Sequence, residues 1–392
     1  MESKNVSELA KQVRGVSYKP EDLHDGLNDK SVILLRANNI NDGKINFDDV
    51  VYVDKSKVSK EQYLQNGDIL ICASSGSKQL VGKAASVDFD IECTFGAFCK
   101  VVRPNPSIAE FLGIYFQSNT YRQKVSEVAI GANINNIRNE HIDNLILSVG
   151  TDEENSEIVR MMKVIQRLID ERKQEVQELD KLVKARFIEV FGDPVTNSMR
   201  WYETTVGDEC FYIKDGPHKS LTDIGKENGG HPFISVRNIV NGYIDLSTAR
   251  YISDDDYAEA IKKCHPEKGD ILYSKGGTTG IAKLVDIDEK FANWVHVAVL
   301  KFDKTKLNGV FLENMLNGAY CYEQSQRLTK GIANRDLVLS AIAKIKLYRP
   351  PIYLQEKFAD FVRQADKSKA VIEKSLKELE TLQASLMQKY FS

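Results

Sequence analysis

The stretch GDILICASSGSKQLVGKAASVD, Gly67–Asp88, is met again as GDILYSKGGTTGIAKLVD, Gly269–Asp286. Each is a glycine-aspartate turn, a short apolar strand, a polar Gly/Ser/Thr/Lys loop and a second strand. The flanks repeat as well. ILLRANNINDGKINFDDVVYV (33–53) precedes the first copy and PFISVRNIVNGYIDLSTARYI (232–252) the second. Both read as a strand, an Asn-rich polar stretch, a Gly turn and an alternating strand. After the loops, GANINNIRNEHIDNLILSV (131–149) matches GIANRDLVLSAIAKIKLYRPP (331–351) in position and apolar rhythm. Matches in constant order and at nearly constant offset imply a tandem duplication of two unlike halves. Such a repeat restricts the fold more than any single motif does.

Each half ends in a long stretch without proline or glycine. Over 152–191 apolar residues fall at Ile158, Met162, Ile165, Ile169, Val176, Leu179, Val183 and Val190, a 4-3 seam interrupted by Arg172 and Arg186. FGDP (191–194) then stops the helix with a Gly and a Pro. From about 352 to 391 the pattern returns at Phe358, Val362, Ala365, Ile372, Leu376, Leu379, Leu386 and Tyr390. A helix of about 40 residues is roughly 60 Å long, against about 30 Å for a compact domain. The two stripes are therefore expected to pair with each other. Antiparallel pairing would place the two halves at opposite ends of one rod. The expected class is α+β: globular domains over 1–150 and 196–350, with helices over 151–195 and 351–392 pairing as an antiparallel, pseudo-two-fold coiled coil.

Composition narrows the function classes. The chain has 392 residues, 42% apolar and 28% charged, as in a soluble globular protein. It holds no apolar run long enough to span a membrane, and its first residues lack the apolar core of a secretory signal. Six cysteines without a CxxC pair read as buried thiols in a reducing cytoplasm. A net charge of −3 counts against a nucleic-acid binder, although long acidic helices can mask local basic patches.

Catalytic motifs are missing. The nearest approach to a phosphate-binding loop, Gly76–Ala84, has five residues between its glycines and Ala84 where a hydroxyl is required. The adenine amino-methyltransferase turn [DN]-P-P-[YF] has only the lookalike RPPI (349–352), with a cation in place of the acceptor and no aromatic. That segment reads better as a strand-to-helix junction. No HExxH, GxSxG or GxGxxG occurs. His296, in NWVHVAVL, reads as a strand residue and His218, in DGPHKS, as a turn residue. Asp286, Asp288, Glu289 and Lys290 read as a loop after a strand rather than as a nuclease cluster.

Taken together, the two unlike halves, each with N-I-x-x-G-x-I followed by GDIL and a glycine loop and each closed by a long helix, resemble the specificity subunit of type I restriction-modification systems. FYIKDGPHKS (211–220) with GGHPFISVRNIVNGYI and GDILYSKGGTTGIAKLV is similar to a target-recognition domain of that family. VRGVSYKPEDL (13–23) with LLRANNI and GDILICASSGSK is similar to another variety of it. PPIYLQEKFADFV (350–362) resembles the PLxEQxxI opening of the family's spacer helix, departing at Tyr353 and Leu354. In the first half VGTDEENSEIV lacks the prolines.

The resemblance implies a non-catalytic subunit in which two recognition domains read a bipartite target in double-stranded DNA. Two methyltransferase (modification) subunits would dock on the helices, and translocating restriction subunits would join to cut. S-adenosylmethionine, ATP and Mg are expected on those partners, with no cofactor or metal on this chain. A cytoplasmic location and no membrane contact follow. The alternative is a self-contained DNA methyltransferase or nuclease with an unrecognised active site.

Side chains suited to reading DNA cluster in three places. Asn pairs bidentately with adenine, Arg and Lys with guanine, and Ser or Thr adapts to either. Ser74, Ser75, Ser77 and Lys78 occupy one glycine loop, and Lys275, Thr278 and Thr279 the other, all expected to be exposed. A second face is Arg36, Asn38 and Asn39, with Arg237 and Asn238 as counterparts; a third is Asn133, Asn135 and Arg138 against Asn334 and Arg335. His218 and Lys219 complete the candidates. The blander reading is that glycine-rich polar loops are simply turns.

Overall fold

Two buried aspartates organise the repeat. The computed structural model describes residues 2–77, 79–128, 135–332 and 334–391. Gly67 and Gly269 both adopt positive φ, 87° and 90°, a conformation that costs little only in glycine. The next residue turns its carboxylate back on the chain. Asp68 accepts from Gln65 N at 2.9 Å and Asp270 from Glu267 N at 2.8 Å. Each also meets a cation on the neighbouring strand. Arg103 forks onto Asp68 with two contacts of 2.7 Å, and Lys301 reaches Asp270 at 2.6 Å. A buried carboxylate without such donors would be costly. The Gly-Asp pair is therefore a determinant of the turn and of the strand register beyond it.

The strands that follow, Ile69–Cys72 and Ile271–Ser274, are buried along their whole length. Each lies inside a four-stranded antiparallel sheet. The order is Ala84–Ser86, Ile69–Cys72, Cys99–Pro104, Ala10–Arg14 in one half, and Ala282–Leu284, Ile271–Ser274, Val297–Phe302, Cys210–Asp215 in the other. A second sheet is also repeated. Cys93–Phe95 runs parallel to Ser31–Leu35, which pairs antiparallel with Val51–Asp54. Ala292–Asn293 runs parallel to His231–Ile234, which pairs antiparallel with Arg250–Ile252. The shared strand order, with one extra edge strand, Leu23–His24, in the first half, carries the duplication from sequence to topology.

The two long helices form over Asp152–Phe191 and Ile352–Phe391, 40 residues each. The chain divides into two compact units, Met1–Gln174 with Glu373–Ser392, and Glu175–Ile372. Within the first, Gln383 donates to Gln166 at 2.8 Å and Lys173 meets Glu380 at 3.4 Å, a falling register that makes the helices antiparallel. Within the second, Lys369 donates to Asp180 at 2.9 Å.

Aromatic side chains near the helix ends enter each core. Phe391 lies 4.9 Å from Phe111 in the first unit; Phe191 lies 4.8 Å from Phe311 and 5.5 Å from Phe358 in the second. Ile158, Met162, Ile165 and Ile169 are buried as the stripe predicts. Arg186 interrupts it less than expected, because its guanidinium lies 5.7 Å from the centre of the Phe361 ring and 2.8 Å from Glu189. Among the described residues no helix is long and apolar enough to cross a membrane.

Candidate nucleic-acid interface

The first glycine loop leaves the sheet as a second, smaller ladder. Ser74–Ser75 pairs antiparallel with Asn135–Asn136, so two segments far apart in sequence meet. The Ala73 and Ser74 amides both donate to Phe98 O, at 2.9 and 3.0 Å, and Ile137 N donates to Ala73 O at 2.8 Å. Arg122 holds the returning arm, donating to Val81 O at 2.7 Å and Gln79 O at 2.9 Å. Ser74 and Ser75 are half-buried in this frame, and Ser77 projects at the tip. Arg138 is exposed, 3.4 Å from Glu140. Lys78 and Asn133 lie outside the described residues, and Asn135 enters here through its backbone alone.

The second loop corrects the expectation of exposure. Lys275 is only 6% exposed and Thr279 only 1%. Lys275 Nζ lies 3.0 Å from Asp336 Oδ1 and 3.6 Å from Asp215 Oδ2, and Asp215 also takes Lys263 Nζ at 2.8 Å. Thr279 Oγ1 shares a 3.0 Å hydrogen bond with Thr329 Oγ1 and accepts from Arg335 at 3.3 Å. Arg335 also donates to Gln326 Oε1, and Gln326 returns a bond to Thr279 O at 3.0 Å. These side chains hold the loop shut from beneath. Gly276 and Thr278 show why the loop needs glycine and where it is free. A Cβ on Gly276 would fall 2.1 Å from His296 Nδ1, whereas Thr278 is exposed.

His296 itself stands in the turn before the strand Val297–Phe302, where its carbonyl accepts the Lys275 amide at 2.8 Å. The expectation that it lies in a strand is therefore corrected by one residue.

The second candidate face divides in the same way. Asn39 and Asn238 are 0% and 1% exposed, which overturns their reading as surface residues. Asn39 Oδ1 accepts from Arg36 N at 2.9 Å and its Nδ2 donates to Asp48 O at 2.8 Å. Asn238 does the same with Ser235 N at 2.8 Å and Asp245 O at 2.9 Å. Each is a clamp across a tight turn, with its amide edge already used. Their neighbours Asn38 and Arg237 are exposed, while Arg36 is half-buried and donates to Asp49 O at 2.7 Å. His218 and Lys219 project from the bend after Cys210–Asp215, and Asn334 is exposed beside half-buried Arg335.

The structure thus brings Ser74 and Ser75 to Asn135–Asn136 in one unit, and Thr279 to Arg335 and Lys275 to the next residue, Asp336, in the other. Asp336 and Gln326, which complete the second cluster, were not legible as partners. Asp336 stands next to Arg335 in sequence, but only the fold brings it to Lys275. The acidic residues after the second loop disperse, with Asp286 3.4 Å from Lys283 and Asp288 2.6 Å from Lys268. Among the described residues no group of three or more His, Cys, Asp or Glu is placed to hold a metal ion. All six cysteines are free and buried.

Comparison with known proteins meets this architecture at both scales. The profile of the type I restriction modification DNA specificity domain matches twice, over residues 2–181 and 201–381. The specificity subunit of the type I restriction enzyme EcoKI of Escherichia coli K12 is 30% identical over 280 residues, 69% of this chain and 60% of that protein. That match therefore spans less than two thirds of its relative. The StySPI specificity subunit of Salmonella potsdam is 26% identical, covering 98% of this chain and 87% of its own. The crystal structure of a type I restriction-modification S subunit from M. genitalium shares the fold, with a TM-score of 0.58 at 16% identity over 100% of this chain and 96% of that one. With the family profile matching each repeat in turn, the chain belongs to the type I restriction-modification DNA specificity family.

Proposed function

We propose that this chain is the DNA-recognition subunit of a type I restriction-modification complex and is itself non-catalytic. Residues 1–150 and 196–350 would each read one half of a bipartite target. The long helices would set the gap between half-sites and carry two modification subunits, which restriction subunits join. S-adenosylmethionine, ATP and Mg belong to those partners in this reading, and the complex works in the cytoplasm.

The observation that carries the reading is the pair of loops. Two units share a strand order and a Gly-Asp turn, yet place different side chains on the same frame. A shared scaffold with unlike loops is what two different half-sites require. The exposed candidates Asn38, Ser77, Arg138, His218, Lys219, Arg237, Thr278 and Asn334 are assigned to direct contact with DNA. Lys275, Thr279, Arg335, Asn39 and Asn238 are assigned to holding the loops that present them.

The test is methylome sequencing of a host without restriction systems of its own. Coexpression of this chain with its modification subunit is expected to methylate one bipartite motif, and neither protein alone is expected to do so. Methylation or cleavage by the purified chain alone would favour an enzyme instead.

A further inference from the structure

Beside the first loop, the sheet brings two positive charges together. The register of Ala10–Arg14 against Cys99–Pro104 sets Arg14 directly opposite Lys100. Like charges facing each other on neighbouring strands destabilise a sheet. Among the described residues no carboxylate forms an ion pair with either; Lys100 Nζ donates to the neutral Oδ1 of Asn139. Burial and the Arg14 charge both pull the Lys100 ammonium below its ordinary pKa, against a smaller opposing pull from Asp143.

Both side chains line a concave site of about 620 Å³, together with Arg138, Asn136 and Ala73, the residue that leads into Ser74. Glu140 is the single carboxylate residue of the lining, and it lies against Arg138. The site is thus open, cationic and continuous with the loop assigned to the first half-site.

Among the described residues the second unit has no such seat. There Asp215 faces Ala298 across the strands. Lys275 stands where Ala73 does, its amide taking His296 O as that of Ala73 takes Phe98 O. Its charge is spent on Asp215 and Asp336.

We propose that Arg14 and Lys100 form an anion seat, present in the first unit only, that grips one phosphate of the DNA backbone beside the first half-site. The proposal rests on the DNA-recognition reading above. A phosphate carries a full negative charge and relieves the repulsion of both cations at once. A neutral guanine edge offers only partial charges and leaves most of that repulsion in place.

The experiment uses the full chain assembled with its modification subunit. Binding is measured across a salt series to a duplex bearing the methylated target and to a scrambled duplex. Arg14→Gln and Lys100→Gln are each expected to weaken both duplexes by the same factor. The slope of log affinity against log salt should fall by about one, and the methylated motif should not change. Arg14→Lys should keep the parent slope. Melting temperatures of the Gln variants should equal or exceed the parent's, since a repulsion has been removed.

Unchanged affinity and slope in both Gln variants would overturn the seat. So would a lower melting temperature in both, which would make the pair a support of the fold. A changed base preference at one motif position with an unaltered slope would put a base there instead of a phosphate. If the parent complex does not prefer its target over the scrambled duplex, the recognition reading has failed, not the seat.

Discussion

Phe391 lies with its ring 4.9 Å from that of Phe111, and 200 residues earlier Phe191 lies 4.8 Å from Phe311. Ile158 and Phe391 belong to the first unit's cluster, Phe358 and Phe191 to the second's. The helix ends are therefore parts of the cores as well as of the helix pair.

Phe391→Ala and Phe191→Ala should each destabilise the chain by about 3–5 kcal/mol, the usual loss for truncating a buried phenylalanine. Denaturant unfolding measures this. A loss below about 1 kcal/mol in both would mean that the helix ends are dispensable to the cores.

The second loop divides into a support and a tip, and the two should respond differently. Lys275→Met removes a charge-assisted hydrogen bond and leaves Asp336 and Asp215 without that cation, which should cost about 1.5–3 kcal/mol. Thr278→Ala, at the exposed tip, should cost no more than about 0.5 kcal/mol while relaxing one half-site. Melting curves together with methylome sequencing separate the two effects. Equal loss of stability in both variants would contradict the division.

How far the sequence was legible follows from the same residues. The repeat and the long helices could be read because periodicity and turn chemistry are local signals, and the buried cysteines because their spacing offers no CxxC pair. The roles of Lys275, Thr279, Asn39 and Asn238 could not. A lysine in a Gly/Thr loop looks like a surface group until the fold brings Asp336 to it across 61 residues. An asparagine after a strand looks like a base reader until its amide is found spanning its own turn. Arg14 lies in the quoted segment 13–23 and Lys100 in no quoted motif, and only the strand register brings them face to face.

All six thiols should be inert in the folded chain. Burial pushes Cys264 up to about 11 and Cys93, Cys210 and Cys321 up to about 12. The thiolate is the reactive form, so at pH 8 little of it is present, and buried sulfur is also out of reach. Alkylation with iodoacetamide followed by mass spectrometry should label none of the six in the native chain and all six in denaturant. Rapid labelling of any one in the native chain would contradict the placement of its sulfur.

If the helices set the gap between half-sites, lengthening them should widen it. One added turn in the first long helix near Glu178 adds about 5.4 Å, between one and two base steps of about 3.4 Å. Provided the helix pair accepts the insertion, the methylated motif should keep both half-sites and gain a wider gap. Altered half-site bases with the old gap would contradict the assignment.

The most direct measurement is the methylome produced after exchanging residues 196–350 for the corresponding segment of a related specificity subunit of known target, with the helices left as they are. The expected product is a hybrid motif: one half-site kept from this chain, the other taken from the donor, and methylation that still depends on the modification subunit. Replacement of both half-sites at once, or retention of both, would contradict the claim that each unit reads its own half.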